Sequence, residues 1–194
     1  MHTFESTTAL IVVDMQNDFA DPDGSLFVSG GEEIVSAINH EIIRAAAAGA
    51  YVVYTQDWHP ASTPHFQKDG GIWPVHCVGE SWGAELHPRL IVAGPTVRKG
   101  ANGEDGYSGF TMRDPETGTE TPTELTGLLH QNDIVSAVVV GLALDYCVGA
   151  TALDATAAGF RTRVPLGYTA AVELTSGDGE RMVAALHGAG VEVG

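Results

Sequence analysis

Ser136 to Leu142 is an unbroken, valine-rich apolar run. It leads through Ala143-Leu144-Asp145-Tyr146-Cys147 into helically spaced residues (Val148, Thr151, Ala152, Ala155, Ala158) that stop at Gly159. An apolar run without polar alternation predicts a central strand of a parallel sheet, covered on both faces. The turn and the spacing after it put Cys147 at a helix N-terminus, where unpaired N–H groups and the helix dipole favour negative charge. Such a place can lower a thiol pKa and make a nucleophile, and the same N–H groups can hold an oxyanion. Cys147 is also open to the plainer reading of a small buried hydrophobe, the common state of a free cysteine.

The rest of the chain bears on that choice. Ala9 to Val13 is a short apolar run ended by Asp14, which predicts a buried first strand. A polar loop, Asp14 to Phe19, follows and leads to the turn-rich Asp21-Pro22-Asp23-Gly24. Ile34, Ile38, Ile42 and Ala45 share one face of a helix predicted from Gly30 to Gly49. Further strands are predicted at Tyr51–Thr55, Thr96–Lys99, Arg161–Leu166 and Val191–Val193, and further helices at Thr123–Leu129 and Gly177–Gly188. Gln56 to Leu90 lacks periodicity and carries Pro60, Pro64, Pro74 and Pro88, while Gly100 to Thr123 is rich in Gly, Asp and Thr and reads as loop. Irregular segments of that length are uncommon unless they carry function.

Alternating strands and helices predict an α/β fold with a parallel sheet, as one domain over residues 1–194. Ligands of such sheets bind beyond the carboxyl ends of the strands. Asp14, Asp57, Lys99 and Cys147 each fall at or just after the end of a different predicted strand. Reactive side chains at equivalent places on separate strands point to one site.

Composition limits the ligand. The 194 residues carry 25 acidic and 9 basic groups, a net charge of −16, and Lys68 and Lys99 are the lysines. A surface of that sign repels nucleic acid and anionic membranes, so the expected ligand is a small molecule. Hydrophobic residues make up 44% of the chain, which predicts a globular core. Cys77 and Cys147 form no disulfide framework and no CxxC zinc spacing is present. The polar start and the short first apolar run predict neither a signal peptide nor a membrane span, and the cytoplasm is the expected location.

The strand-end residues suit thiol chemistry. A carboxylate such as Asp14 can take the proton of Cys147, and Lys99 can stabilise the thiolate. Asp14 also fits a solvated cap after a strand, and Lys99 a surface charge. In the segment after strand two, Asp57 and His59 are spaced so that both point the same way in extended chain. His65 and His76 follow within the same Pro-rich loop, and a carboxylate with imidazoles suits zinc, iron or manganese. Those histidines could equally decorate a loop, as His2, His40, His87, His130 and His187 are expected to do. Phe19, Trp73 and Tyr107 could wall a pocket for a flat ring, whereas Trp58 and Trp82 are read as packing.

Taken together, these residues resemble a known family. The stretches are Val13-Asp14-Met15-Gln16-Asn17-Asp18-Phe19, Asp57-Trp58-His59-Pro60 with His65-Phe66, Trp73-Pro74-Val75-His76-Cys77-Val78, Lys99-Gly100, Tyr107-Ser108-Gly109-Phe110 and Gly141-Leu142-Ala143-Leu144-Asp145-Tyr146-Cys147-Val148. From Ala9 to about Gly190 the chain resembles the nicotinamidase/pyrazinamidase branch of the isochorismatase-like cysteine hydrolases. The resemblance implies a three-layer α/β/α, Rossmann-like fold with a mainly parallel central sheet. It implies a catalytic triad of Asp14, Lys99 and Cys147, and an oxyanion hole from the N–H groups of Ala143 and Cys147 with a cis Leu142–Ala143 peptide. It implies a divalent metal, zinc before iron or manganese, held by Asp57, His59 and His76, with His65 as a further ligand in some members. Phe19, Trp73, Tyr107 and Tyr146 would bind the substrate.

The implied reaction is hydrolysis of nicotinamide to nicotinate and ammonia in NAD salvage, also on pyrazinamide, through a cysteine thioester. The implied partner is a small aromatic amide, with no nucleic acid or membrane and with a possible homo-oligomer. Another amidohydrolase of the superfamily acting on carbamoyl or ureido groups is the alternative, and the metal-ligand set speaks against it. Cys147 speaks against an isochorismatase acting on a vinyl ether. A non-catalytic metal- or ligand-binding protein on this fold is the alternative of another class, opposed by the intact Asp14, Lys99 and Cys147.

Overall fold

The computed structural model describes residues 3–194. Its centre is a seven-stranded sheet built from β1 (Thr8–Val13), β2 (Tyr51–Asp57), β3 (Thr96–Lys99), β6 (Ser136–Leu142), β7 (Arg161–Val164), β8 (Thr169–Ala170) and β9 (Glu192–Val193). The order across the sheet is β3-β2-β1-β6-β7-β9, with β8 paired to the far end of β6, and every pairing is parallel. Outside it lies a small antiparallel hairpin of β4 (Thr111–Arg113) and β5 (Glu120–Pro122). The helices are α1 (Asn17–Ala20), α2 (Gly31–Ala47), α3 (Leu125–Gln131), α4 (Gly149–Ala157) and α5 (Asp178–Gly188).

The strands show why the apolar runs were continuous. Along β1, Leu10 and Val12 enter one core with Ile38 and Ile42 of α2, while Ala9, Ile11 and Val13 enter another with Leu129 of α3, Ala152 of α4 and Leu186 of α5. Side chains alternate across a strand, so a sheet with a helical layer on each face needs apolar residues at successive positions. Ile38 and Ile42 are almost wholly buried, each worth roughly 1.5–3 kcal/mol relative to exposure. The layering is α/β/α, as the resemblance implied.

Sheet order places the site. From β1 the chain crosses to β2 on one side, and β6 later joins the other side. The crevice between β1 and β6 is therefore the switch point at which open α/β sheets bind ligands. Gly141 of β6, at φ 113°, lies opposite Val13, and a Cβ there would stand 2.1 Å from the Val13 carbonyl oxygen. A glycine is what lets β1 and β6 close up beneath the crevice.

The structure departs from the predicted elements in places. A short helix, α1, forms in the loop after β1, and the segment read as loop from Gly100 to Thr123 contains the β4–β5 hairpin. Three-residue strands with exposed faces carry too little alternation to register. β7 stops at Val164 instead of Leu166, which belongs to a 3₁₀ turn leading to β8. The helix after β6 starts at Leu144, as a wide turn over Leu144–Val148 in which the Val148 N–H donates to the Ala143 carbonyl at 3.0 Å. That i→i−5 bond breaks the 3.6-residue period, so apolar spacing marked the helix only from Val148. Cys147 lies inside this first turn, not ahead of it.

Candidate active site

β1, β2 and β3 end in Val13, Asp57 and Lys99, and β6 ends five residues before Cys147. These are four neighbouring parallel strands, so their carboxyl ends open on the same edge of the sheet. The structure brings Asp14, Asp57, Lys99 and Cys147 together there, all buried. The Lys99 ammonium pairs with Asp14 Oδ2 at 2.9 Å and with Asp57 Oδ1, and lies 3.6 Å from Cys147 Sγ. One ligand atom each of Asp14, Asp57 and Cys147 falls within 4.8 Å of the others. Lys99 is the cation of that set.

The charges decide the resting protonation. Burial alone would lower the Lys99 ammonium pKa, but Asp14 and Asp57 hold it well above the ordinary lysine value. Burial pushes the Asp57 carboxyl up, and Lys99 and His59 outweigh that and hold it well below the usual range. Burial raises the Asp14 carboxyl; Lys99 pulls it back and Asp57 pushes it further up. Burial likewise raises the Cys147 thiol, against the pull of Lys99 and with the push of Asp14 and Asp57. The helix start does not leave Cys147 as a resting thiolate, because burial disfavours the anion and the one ammonium beside it already faces two carboxylates. The thiol keeps its proton until a base takes it, and Asp14 is a buried carboxylate of raised pKa beside it.

Asp14 is held firmly in place. It sits in the left-handed region at φ 47°, uncommon for a residue with a side chain and typical of functional positions. The Thr55 hydroxyl donates to its Oδ1 at 2.6 Å, and its backbone N–H donates to the Thr55 carbonyl at 3.2 Å. Gln16 fixes the next strand end in both directions: its amide nitrogen donates to the Asp57 carbonyl at 2.7 Å, and its amide oxygen accepts from the Asp57 N–H at 2.8 Å.

A second cluster adjoins the first. His59, His65 and His76 are buried and each offers a ring nitrogen within 4.8 Å of the others. His59 Nε2 and His76 Nε2 lie 3.8 and 3.9 Å from Asp57 Oδ2. His76 Nδ1 donates to the Pro74 carbonyl at 2.7 Å, which leaves Nε2 as the ring's lone-pair donor. Burial lowers the His76 pKa to about 4, so the ring is neutral near pH 7. Neither ring nitrogen of the buried His59 has a hydrogen-bond partner among the described residues. Orphaned buried nitrogens are costly unless something binds them, and here they face imidazoles and a carboxylate. The residues fit a divalent metal. Gly100, at φ 83°, allows the close approach: a Cβ there would stand 2.8 Å from His59 Nδ1.

Between the two clusters is a cleft lined by Asp57, His65, His76 and Cys147 and walled by Phe19, Trp73, Tyr107 and Tyr146. Trp73 Nε1 donates to the Tyr107 hydroxyl at 3.1 Å, and Tyr146 stands edge-on to both rings. Phe19, Trp73, Tyr107 and Tyr146, the residues expected from the sequence to meet a ring, all line the cleft, as does Ala143, whose peptide bond with Leu142 is cis. Trp58 stays outside, stacked under the Arg98 guanidinium at 3.6 Å, and Trp82 is half exposed. Of the histidines set aside, His87 is buried, with Nδ1 accepting from the Arg89 N–H at 3.3 Å; His2 falls outside the described residues.

The Isochorismatase domain family matches residues 8–178. The chain belongs to that family. This isochorismatase-family protein is 40% identical over 169 residues to a nicotinamidase/pyrazinamidase of Mycobacterium tuberculosis, covering 84% of this chain and 87% of the other. Among solved structures, PnC1 of L. infantum in complex with nicotinate superposes with a TM-score of 0.88 at 39% identity, over 99% of this chain and 94% of that one. A pyrazinamidase of Pyrococcus horikoshii in complex with zinc gives a TM-score of 0.85 at 34% identity, over 97% and 98%.

Sequence reasoning missed several residues of the candidate site. Thr55 is a polar residue inside a buried strand, which was a usable signal; Gln16, within the motif after β1, was another. Leu26, Val28 and Val172 complete the cleft wall, and Asp145 accepts from the N–H groups of Val172 and Glu173 at 2.9 and 2.8 Å. No local pattern ties Val172 to Cys147, because the tie is made through space.

Proposed function

We propose that this protein hydrolyses nicotinamide to nicotinate and ammonia, and also takes pyrazinamide, so that it returns nicotinamide to NAD synthesis. One observation carries the reading: a buried Asp14–Lys99–Cys147 set opens on an aromatic-walled cleft whose far side is a group of histidines. The nicotinamidases and nicotinate-bound structure among its relatives support the same substrate. Residues 1–194 act as one domain in this reading.

The ring of the amide lies among Phe19, Trp73, Tyr107 and Tyr146, with its carboxamide at Cys147. Asp57, His59 and His76, with His65, would hold the metal, for which zinc is the first choice. Such an ion would supply a Lewis-acid contact for a ring nitrogen of the substrate. Orientation of this kind converts binding energy into rate.

Asp14 takes the thiol proton as Cys147 Sγ bonds to the carboxamide carbon. The N–H groups of Ala143 and Cys147 donate to the developing oxyanion, an interaction commonly worth about 3 kcal/mol in the transition state. Asp14 then gives its proton to the amide nitrogen, the C–N bond breaks and ammonia leaves a thioester. Water attacks the thioester carbon while Asp14 takes a water proton; as the C–S bond breaks Asp14 returns that proton to Sγ, restoring the thiol, and the released acid ionises to nicotinate. Lys99 stays charged throughout and keeps Asp14 from holding its proton too tightly.

Ammonia release from nicotinamide, measured before and after chelation and after zinc is restored, tests the reading. Metal-restorable release is expected. No release in any metal state would refute nicotinamide as substrate and turn the assay to ureido and carbamoyl compounds.

A further inference from the structure

The loop between β3 and β4 puts Asp105 against His65. Asp105 Oδ1 lies 2.9 Å from His65 Nδ1, and Oδ2 accepts from Arg113 Nη2 at 2.9 Å. The Gly106 N–H also donates to Oδ1, at 2.7 Å. Asp105 and Arg113 exchange backbone hydrogen bonds as well, at 2.7 and 2.5 Å. The backbone pair already fixes the loop to the hairpin, so closing the loop does not need the carboxylate.

What the carboxylate does is settle His65. A ring whose Nδ1–H donates to Asp105 keeps its Nε2 lone pair free and is a stronger donor. The same ring is stacked on His59, with centroids 4.9 Å apart and planes at 26°, and is 5.3 Å from His76. His65 sits on a Pro-rich loop with no strand beneath it, unlike Asp57 at the end of β2. It therefore needs a partner to fix its tautomer and ring plane.

We propose that Asp105 is a positioning residue of the metal centre: clamped by Arg113, it holds His65 with Nε2 turned to the ion as a fourth protein ligand. The proposal rests on the metal reading above. It makes the Gly100–Arg113 segment part of the centre, although that segment supplies no ligand of its own.

The test is zinc affinity by competition with a chromophoric chelator, together with the visible spectrum of the cobalt-substituted protein. Asp105→Ala should weaken zinc binding roughly 10–100-fold. Asp105→Asn, which keeps the shape but not the charge, should weaken it less. Both should alter the cobalt spectrum in the direction that His65→Ala does. In a His65→Ala background, Asp105→Ala should add less than about twofold, since a residue acting only through His65 has nothing left to act on. Unfolding of the chelated variants checks that the fold survives, and the near-isosteric Asn variant serves if the Ala variant does not fold.

The proposal is overturned if His65→Ala weakens zinc binding and neither Asp105 variant does. It is also overturned if Asp105→Ala costs as much without His65 as with it. If the unaltered protein binds no zinc or cobalt, the metal reading itself falls, and this proposal with it. If zinc binds, is lost in His59→Ala and is indifferent to His65→Ala, the centre stands and only the role of His65 and Asp105 is refuted.

Discussion

The two halves of the site are both buried, polar and built around a positive centre, but they are made differently. In the thiol half, Asp14, Asp57 and Cys147 surround Lys99, and every member lies at or just after the end of a strand. The positive charge is covalently part of the chain, and its partners are in place when the sheet forms. In the histidine half, His59, His65 and His76 stand on irregular chain, and His59 keeps two nitrogens without a hydrogen-bond partner among the described residues. A half whose cation belongs to the sequence is finished by folding; a half whose donors lack one is finished by binding. Asp57 joins them, with one oxygen on Lys99 and the other 3.8 and 3.9 Å from His59 and His76.

That contrast can be broken by mutation. Cys147→Ala should give the largest effect, a fall in kcat of roughly 10⁴-fold or more, as for other nucleophile deletions. Nicotinate binding, followed by calorimetry, should persist; substantial residual ammonia release would show that another group attacks. Lys99→Met should come next in stability terms. It leaves Asp14 and Asp57 buried without their cation, and breaking a buried pair costs about 3–5 kcal/mol. Urea unfolding with a chelator present measures this.

His59→Ala sharpens the same comparison from the other side. It should abolish stoichiometric metal, yet cost the metal-free protein only about 1–2 kcal/mol, because the lost ring nitrogens had no hydrogen bond to give up. A metal-free loss as large as that of Lys99→Met would erase the distinction between the halves. Thr55→Val removes the hydroxyl that donates to Asp14 and should cost about 1.5–3 kcal/mol in the folded protein. The smallest effect is expected from Trp73→Phe. It deletes the donor to the Tyr107 hydroxyl while keeping a ring in the wall, so KM should rise a few-fold with little change in kcat. A change confined to kcat would instead put Trp73 in the transition-state contacts.

The sequence was most legible where one residue's place depends on a strand and its end. β3 and β6 match their predicted bounds, and β1, β2 and α2 differ at their ends by one or two residues. Continuous apolar runs report burial on both faces, and reactive residues at their ends stand out against them. Legibility failed where a contact joins distant irregular segments. Asp105 lies in a Gly-rich loop and reads as a turn residue, yet its carboxylate meets His65, forty residues earlier. Asp145 reads as part of the turn after β6, yet it fastens Val172 over the cleft.

The sequence by itself determined the layered α/β architecture, the strand ends that carry Asp14, Asp57, Lys99 and Cys147, and the set of histidines available to a metal. Periodicity and punctuation are local, so a reader of the chain can recover them. Tertiary structure alone decided that Lys99 serves two carboxylates at once, and that Cys147 rests as a protonated thiol in spite of its helix. It also decided which histidines converge and which polar contacts orient His65 and His76. Those outcomes depend on burial and on charges brought within a few ångströms from separate strands, and electrostatics at that range follows from position in space, not from order along the chain.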